Sequence, residues 1–352
     1  MLLVGFRPDE EGNILSLVAE GRLGGVILFR RNAEDAVDVA RISAALREAA
    51  KRGEASVPLL AVDQEQGRVC RIQRGVTLFP GAAALGKRDR LSTTEGVARW
   101  VGRELAALGV HLNLAPVADV VRADPPPPVL VDRAFGADPR QVARHVRAWV
   151  RGSQDGGVAA CAKHFPGHGG VEADSHNRLP RDPASLPVLK KFHLVPFAAA
   201  IRVRVAAVMV GHVAYDALDP GVPASLSPHV MGLLRRGMRY GGLVLTDDLE
   251  MGAVSEASGP VEAAVRAIAA GADMALVGRN MKAEVEAEEL VRGVEAAIAD
   301  GRLSEERMAS AIRRVLTFKR WWVPSFWVPP SHHSAFPRAA RLARRLWEEG
   351  PG

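Results

Sequence analysis

Residues 241–278 read GGLVLTDDLEMGAVSEASGPVEAAVRAIAAGADMALVG. The run 243–245 is short and wholly apolar, and 274–277 repeats the pattern. Between them, 260–270 carries helical periodicity, starts at a proline and stops at Gly271, as helices do. Consecutive apolar residues without alternation mark strands covered on both faces of a parallel sheet. The same unit recurs through the chain. Further strands are expected at 2–6, 25–29, 59–62, 110–114, 159–162 and 206–210. Helices are expected at 33–51, 93–108, 139–154, 186–203 and 228–239. Eight strands alternating with helices predict an α/β fold, a closed (β/α)8 TIM-type barrel. An open doubly wound sheet is the alternative, weakened because no Gly-rich dinucleotide fingerprint follows the first strand.

The barrel is expected over residues 1–320, closing with helices at 283–299 and 304–319. Pro324, Pro329 and Pro330 then break the periodicity. The tail, 321–352, is expected to hold one short basic amphipathic helix at 337–349 and no second domain. Composition agrees with a folded chain. Of 352 residues, 48% are hydrophobic and 24% charged, which excludes global disorder and collagen-like repeats. The net charge of +6 is spread out, and no basic stripe is interleaved with aromatics, which argues against nucleic acid as a partner. Cys70 and Cys161 make no disulfide framework and fit a reducing compartment. No signal-peptide pattern and no apolar run long enough to span a membrane is present. A cytoplasmic protein without a membrane partner is expected.

The ionisable residues follow strand ends. Asp63 directly follows 59–62, Lys163 and His164 follow 159–162, His212 follows 206–210, and Asp247 and Asp248 follow 243–245. In such barrels the C-terminal strand ends form the active-site face. The segment KHFPGHGGVEADSH, residues 163–176, is the densest. His164, His168, Asp174 and His176 could ligate a metal, but Lys163 repels a cation and no zinc motif supports it. A phosphate loop lacks the required spacing. The third reading is an acid–base pair: Asp174 and His176 share one side of an extended loop, so the carboxylate can orient the imidazole. Gly167–Gly170 would let that segment move. Asp247 is the candidate bond-breaking carboxylate, whereas helix capping is the bland reading for Asp248. A carboxylate on one side of a sugar and a proton donor on the other is glycosidase chemistry. No metal and no cofactor is expected.

Together KHFPGHG…DSH, DQEQGRV, DRAFG and TDDLEM resemble the β-N-acetylglucosaminidases of glycoside hydrolase family 3, above all the bacterial cytoplasmic type that serves cell-wall recycling. The resemblance runs from about Gly24 to Gly278, taking in GGVILFRRN, LNLAPVADV and GHVAYDALDP. It implies Asp247 as nucleophile, His176 as acid/base and Asp174 as the carboxylate paired with that histidine. Asp63, Arg71, Arg133, Lys163 and His164 match residues that hold the sugar hydroxyls. The implied substrate is a carbohydrate, a terminal β-linked N-acetylglucosaminide of cell-wall fragments; oligomeric state is not implied. Gln66 stands where the family usually has Gly, and Gly211 where Ala is usual; the tail from Trp321 lacks a clear counterpart in the shortest members. Competing readings are a phosphorylase on the same site, a β-glucosidase of the same family, an inactive sugar-binding barrel, and a nucleic-acid role for the C-terminal helix.

Overall fold

Alternation is present inside the apolar runs, but it divides two buried layers. In the computed structural model, which describes residues 1–122, 127–171, 179–280, 285–327 and 336–349, eight strands form one sheet. They are β1 (Leu2–Val4), β2 (Gly25–Leu28), β3 (Leu59–Val62), β4 (Leu112–Asn113), β5 (Ala159–Phe165), β6 (Ala207–Val210), β7 (Leu243–Thr246) and β8 (Ala275–Val277). Leu3, Ile27, Leu59, Ala61, Leu112, Cys161, Met209, Leu245 and Leu276 point into one buried cluster. Their neighbours Leu2, Val4, Val26, Leu60, Val62, Ala162, Val208, Val244 and Val277 join a second cluster that includes the helices. A strand covered on both sides needs apolar residues at both phases, hence the unbroken runs.

Every strand pair in this sheet is parallel, in the order β7-β6-β5-β4-β3-β2-β1-β8. A parallel bridge between Leu245 and Met274 joins the two ends. The sheet is therefore an eight-stranded barrel, and the open-sheet alternative falls. β4 is shorter than expected because the chain leaves the sheet toward Pro116, while the Asn113 amide bonds the Gln64 carbonyl at 3.0 Å.

The helices obey local chemistry. Asp35, Asp138 and Ser304 cap the helices Ala36–Arg52, Pro139–Asp155 and Glu305–Trp322, each side chain accepting from a first-turn backbone N–H. The capping by Asp35 explains why the expected 33–51 helix begins only at Ala36. The helix Gly252–Ala270 starts earlier than expected, but it breaks at Gly259, whose φ of 69° precedes Pro260. Helix Glu305–Trp322 places Val315 and Phe318 against the barrel interior. After it, helix Pro337–Glu348 returns to the barrel and buries Ala339, Ala343 and Leu346, one stripe at helical spacing. Its Arg341, Arg344 and Arg345 face solvent. Arg88 anchors it, reaching the Leu346 carbonyl at 2.7 Å and Glu349 at 2.6 Å. Among the described residues no helix is long and apolar enough to cross a membrane. Cys70 and Cys161 are free, and burial pushes both thiols up, Cys70 to about 11, so they pack as small hydrophobes.

Candidate active site

The C-terminal strand ends surround a cavity of about 400 Å³. Asp63, Arg71, Arg133, Lys163, His164 and Asp247 all line it, together with Phe29, Arg68, His168, Asp248 and Asn280. Six of the eight residues singled out from sequence thus converge on one space. The other two, Asp174 and His176, lie outside the described residues. No group of three or more His, Cys, Asp or Glu suited to a metal ion occurs among the described residues.

One wall is an ion-pair network. Lys163, within β5, reaches Asp63 Oδ1 and Glu65 Oε1, each at 2.6 Å. Arg133 clamps the Glu65 carboxylate with two bonds of 2.8 Å, and its third donor goes to the Val129 carbonyl at 2.8 Å. Arg71 approaches Asp63 Oδ2 at 3.5 Å. Burial alone would push the Glu65 carboxyl up, but Arg133 and Lys163 outweigh it and hold it well below the usual range. Burial would likewise neutralise Lys163, yet Asp63 and Glu65 raise it instead, so the ammonium stays charged. Glu65 was not expected from the sequence. It sits in the short ribbon of Gln64–Gln66 against Val69–Cys70 that follows β3.

That ribbon accounts for Gln66. Its φ is 76°, a region that favours glycine, and its side-chain oxygen accepts the Phe79 N–H at 2.9 Å. The hydrogen bond satisfies a buried donor and offsets the backbone cost. The other departure, Gly211, gives room to His164: a Cβ there would lie 3.1 Å from the His164 Cβ.

His164 is oriented by Asp119, a fully buried carboxylate that meets its Nδ1 at 2.7 Å and also accepts the His168 N–H at 2.6 Å. Against the upward push of burial, His164 keeps Asp119 ionised. Asp119 was missed because it is one acidic residue in the apolar stretch LNLAPVADV; a charge in a run otherwise fit for the core was the available signal. Burial pushes His168 down, despite Asp119. The glycines expected to act as a hinge have another use here. A Cβ on Gly169 would strike the Val120 carbonyl oxygen at 1.7 Å, and on Gly170 the Asp182 carboxylate at 2.6 Å. They allow close packing, and Val171 after them is buried.

Asp247 and Asp248 are neighbours with opposite electrostatics. Burial would raise Asp247, but His164, His212, the Asp248 N–H and Lys163 bring it down to about 2. Asp247 Oδ1 accepts that N–H at 2.9 Å. Asp248 is pushed up to about 7, chiefly by burial and further by Glu250 and Asp247. Its Oδ1 accepts the Gly278 N–H at 2.9 Å and the Glu250 N–H at 3.1 Å, tying the loop after β7 to the end of β8. His212 braces the same loop, bonding Ser225 Oγ at 2.8 Å and the Asp248 carbonyl at 2.9 Å.

A pH dependence of stability follows. Between the ordinary carboxylate range and about pH 7, Asp248 is protonated when folded and ionised when unfolded. Its contribution is complete below about pH 4 and is lost as pH rises through about 7. In Asp248→Asn the acceptor remains and the titration is gone. The urea-unfolding free energy of Asp248→Asn should gain on the wild type by on the order of 2 kcal/mol between pH 5 and 8. A constant difference across that interval contradicts the assignment.

Fold and site together define a barrel enzyme whose cavity is lined by carboxylates, cations and imidazoles at the strand ends. The family model described as glycosyl hydrolase family 3 N terminal domain matches residues 1–318. The chain is 40% identical to the beta-hexosaminidase of Alkalilimnicola ehrlichii over 296 residues, covering 80% of this chain and 83% of that protein. Among solved structures it resembles a family 3 β-N-acetylglucosaminidase from Paenibacillus sp. str. FPU-7, with TM-score 0.92 and 37% identity, over 99% of this chain and 67% of that one. It also resembles the β-N-acetylhexosaminidase of Beutenbergia cavernae, with TM-score 0.80 and 32% identity, over 91% and 96%. The chain belongs to glycoside hydrolase family 3.

Proposed function

We propose that this enzyme is a retaining β-N-acetylglucosaminidase that removes terminal β-linked N-acetylglucosamine, with cell-wall fragments (muropeptides) as its natural substrates. Asp247 attacks the anomeric carbon and forms a covalent glycosyl-enzyme. His176, paired with Asp174, protonates the leaving oxygen and then activates the water that releases the sugar. The observation that carries this reading is the Asp247 carboxylate on the cavity wall, held ionised at about 2. A nucleophile must be charged at working pH, and no proton needs removing from this one.

Asp63, Lys163, His164, Arg71 and Arg133 bind the hydroxyls of the terminal sugar. In support, a carboxylate accepts from two hydroxyls while the cations donate. Because Arg133 already spends its fork on Glu65 and Val129, its contribution is mainly to hold Glu65 and, through it, Lys163. Arg68 on the cavity lining favours an aglycone carrying carboxylates. Such a protein works in the cytoplasm, in keeping with its two unpaired thiols.

The test is a panel of aryl β-glycosides that differ only at the 2-position. The acetamido sugar is expected to be hydrolysed best, with the β-anomer of free N-acetylglucosamine as first product by NMR. Equal rates for the 2-hydroxy sugar, or an α-anomer first, contradicts the proposal. His176→Ala should lose roughly a hundredfold or more on a poor leaving group and much less on a good one. Equal losses on both count against the acid role.

A further inference from the structure

A second cavity, of about 240 Å³, adjoins the catalytic one. Arg68 lines both. Its guanidinium donates to the Pro128 carbonyl at 3.3 Å and the Val131 carbonyl at 3.5 Å, and Pro128 itself lines the catalytic cavity. The far side of the second cavity is the C-terminal helix, which contributes Leu346 and Trp347. Leu346 is buried as part of the packing stripe, whereas Trp347 is 58% exposed. The indole is nonetheless fixed, since its N–H donates to the Leu78 carbonyl at 3.1 Å. Pro80 and Ala84 add apolar surface, and Asp132 an exposed acceptor. An anchored, solvent-facing indole beside a cation and a carboxylate, in a cavity that shares Arg68 with the catalytic one, is equipped for a sugar ring. The apolar C–H face of a pyranose packs on the negative face of the indole, and its hydroxyls meet charged donors and acceptors.

We propose that Trp347, with Arg68 and Asp132, forms an accessory site for sugar rings of the aglycone, beyond the scissile bond. The C-terminal helix thereby selects oligosaccharides over short glycosides. This rests on the glycosidase reading above. The occupant is the leaving portion of the substrate, because Arg68 joins this cavity to the one that holds Asp247.

The test compares an aryl β-N-acetylglucosaminide, which has no distal sugar, with the β-1,4-linked trimer of N-acetylglucosamine, using the full chain. In Trp347→Ala the ratio of kcat/KM for the trimer to kcat/KM for the aryl glycoside should fall about five- to tenfold, mainly through KM. Trp347→Phe should restore most of that ratio, because it keeps an aromatic face without the N–H to Leu78. Parallel losses on both substrates mean that Trp347 only fastens the helix, and an unchanged ratio means that no sugar reaches it; either overturns the proposal. If the wild type cleaves no aryl glycoside, the catalytic reading fails by itself. The accessory site is then decided by calorimetric Kd for the trimer: weaker binding by Trp347→Ala supports it, and equal binding overturns it.

Discussion

Asp247→Ala is expected to lower kcat for an aryl β-N-acetylglucosaminide by roughly a thousandfold or more, and added azide to restore part of the rate. The size follows from the surroundings of the carboxylate. Asp63 and Glu65 are committed to Lys163 and Arg133, so neither can replace it. Asp248 is adjacent, but its Oδ1 is held by the N–H groups of Gly278 and Glu250, and it is pushed up to about 7. Azide is small enough to enter the space left by the side chain and to attack from the same face, giving the α-glycosyl azide. Asp247→Asn keeps the shape and controls for folding. If Asp247→Asn retains a tenth or more of wild-type kcat, the nucleophile lies elsewhere. Because Asp247 stays ionised down to about pH 2, an acid limb of kcat/KM above about pH 3 belongs to another group.

Glu65→Gln should be nearly as damaging, through stability as well as rate. The carboxylate is buried with Lys163 on one oxygen and Arg133 on both. The amide retains the shape but leaves two cations facing each other with only Asp63 between them and Arg71. Removing one partner from a buried ion pair costs about 3–5 kcal/mol, because the remaining charge is desolvated without compensation. A urea-unfolding free energy lowered by about that amount at pH 7 is the expected result, with kcat/KM for the aryl glycoside falling in parallel as Lys163 loses its position. The pH sign can be checked on the same protein. Glu65 is held below its usual range, so its contribution is present above about pH 4.5 and is lost as pH falls through its depressed value. Glu65→Gln should lack that acid-side loss. A destabilisation under about 1 kcal/mol would show that the network is not what holds this wall.

Much of the site was legible because its residues advertise themselves locally. Asp63 stands immediately beyond an apolar run and Asp247 one residue beyond another, where the end of a strand makes sense of a carboxylate. Lys163 and His164 follow the apolar run 159–162 in the same way, although β5 continues through them to Phe165. Their strands were readable for the same reason: burial on both faces removes the alternation that surface strands show. Glu65 and Asp119 carry no such mark. Glu65 is one polar residue among several in DQEQG, and its importance arises only when Arg133, 68 residues away, folds onto it. Gly169 and Gly170 show a second use of glycine that the sequence did not reveal. Composition alone cannot distinguish a glycine that must bend from one that must let a neighbour in, and here Val120 and Asp182 supply the neighbours.

Residue order alone set the eight-strand barrel, the helix starts at Asp35, Asp138 and Ser304, and the strand-end carboxylates, since periodicity and capping depend on residues a few positions apart. Barrel closure chose the partners. It brought Lys163 to Asp63 across 100 residues, made Asp119 the support of His164, separated the electrostatics of Asp247 from those of Asp248, and set Trp347 beside Arg68. Those outcomes depend on distances and desolvation, which exist only after distant segments have been brought into register.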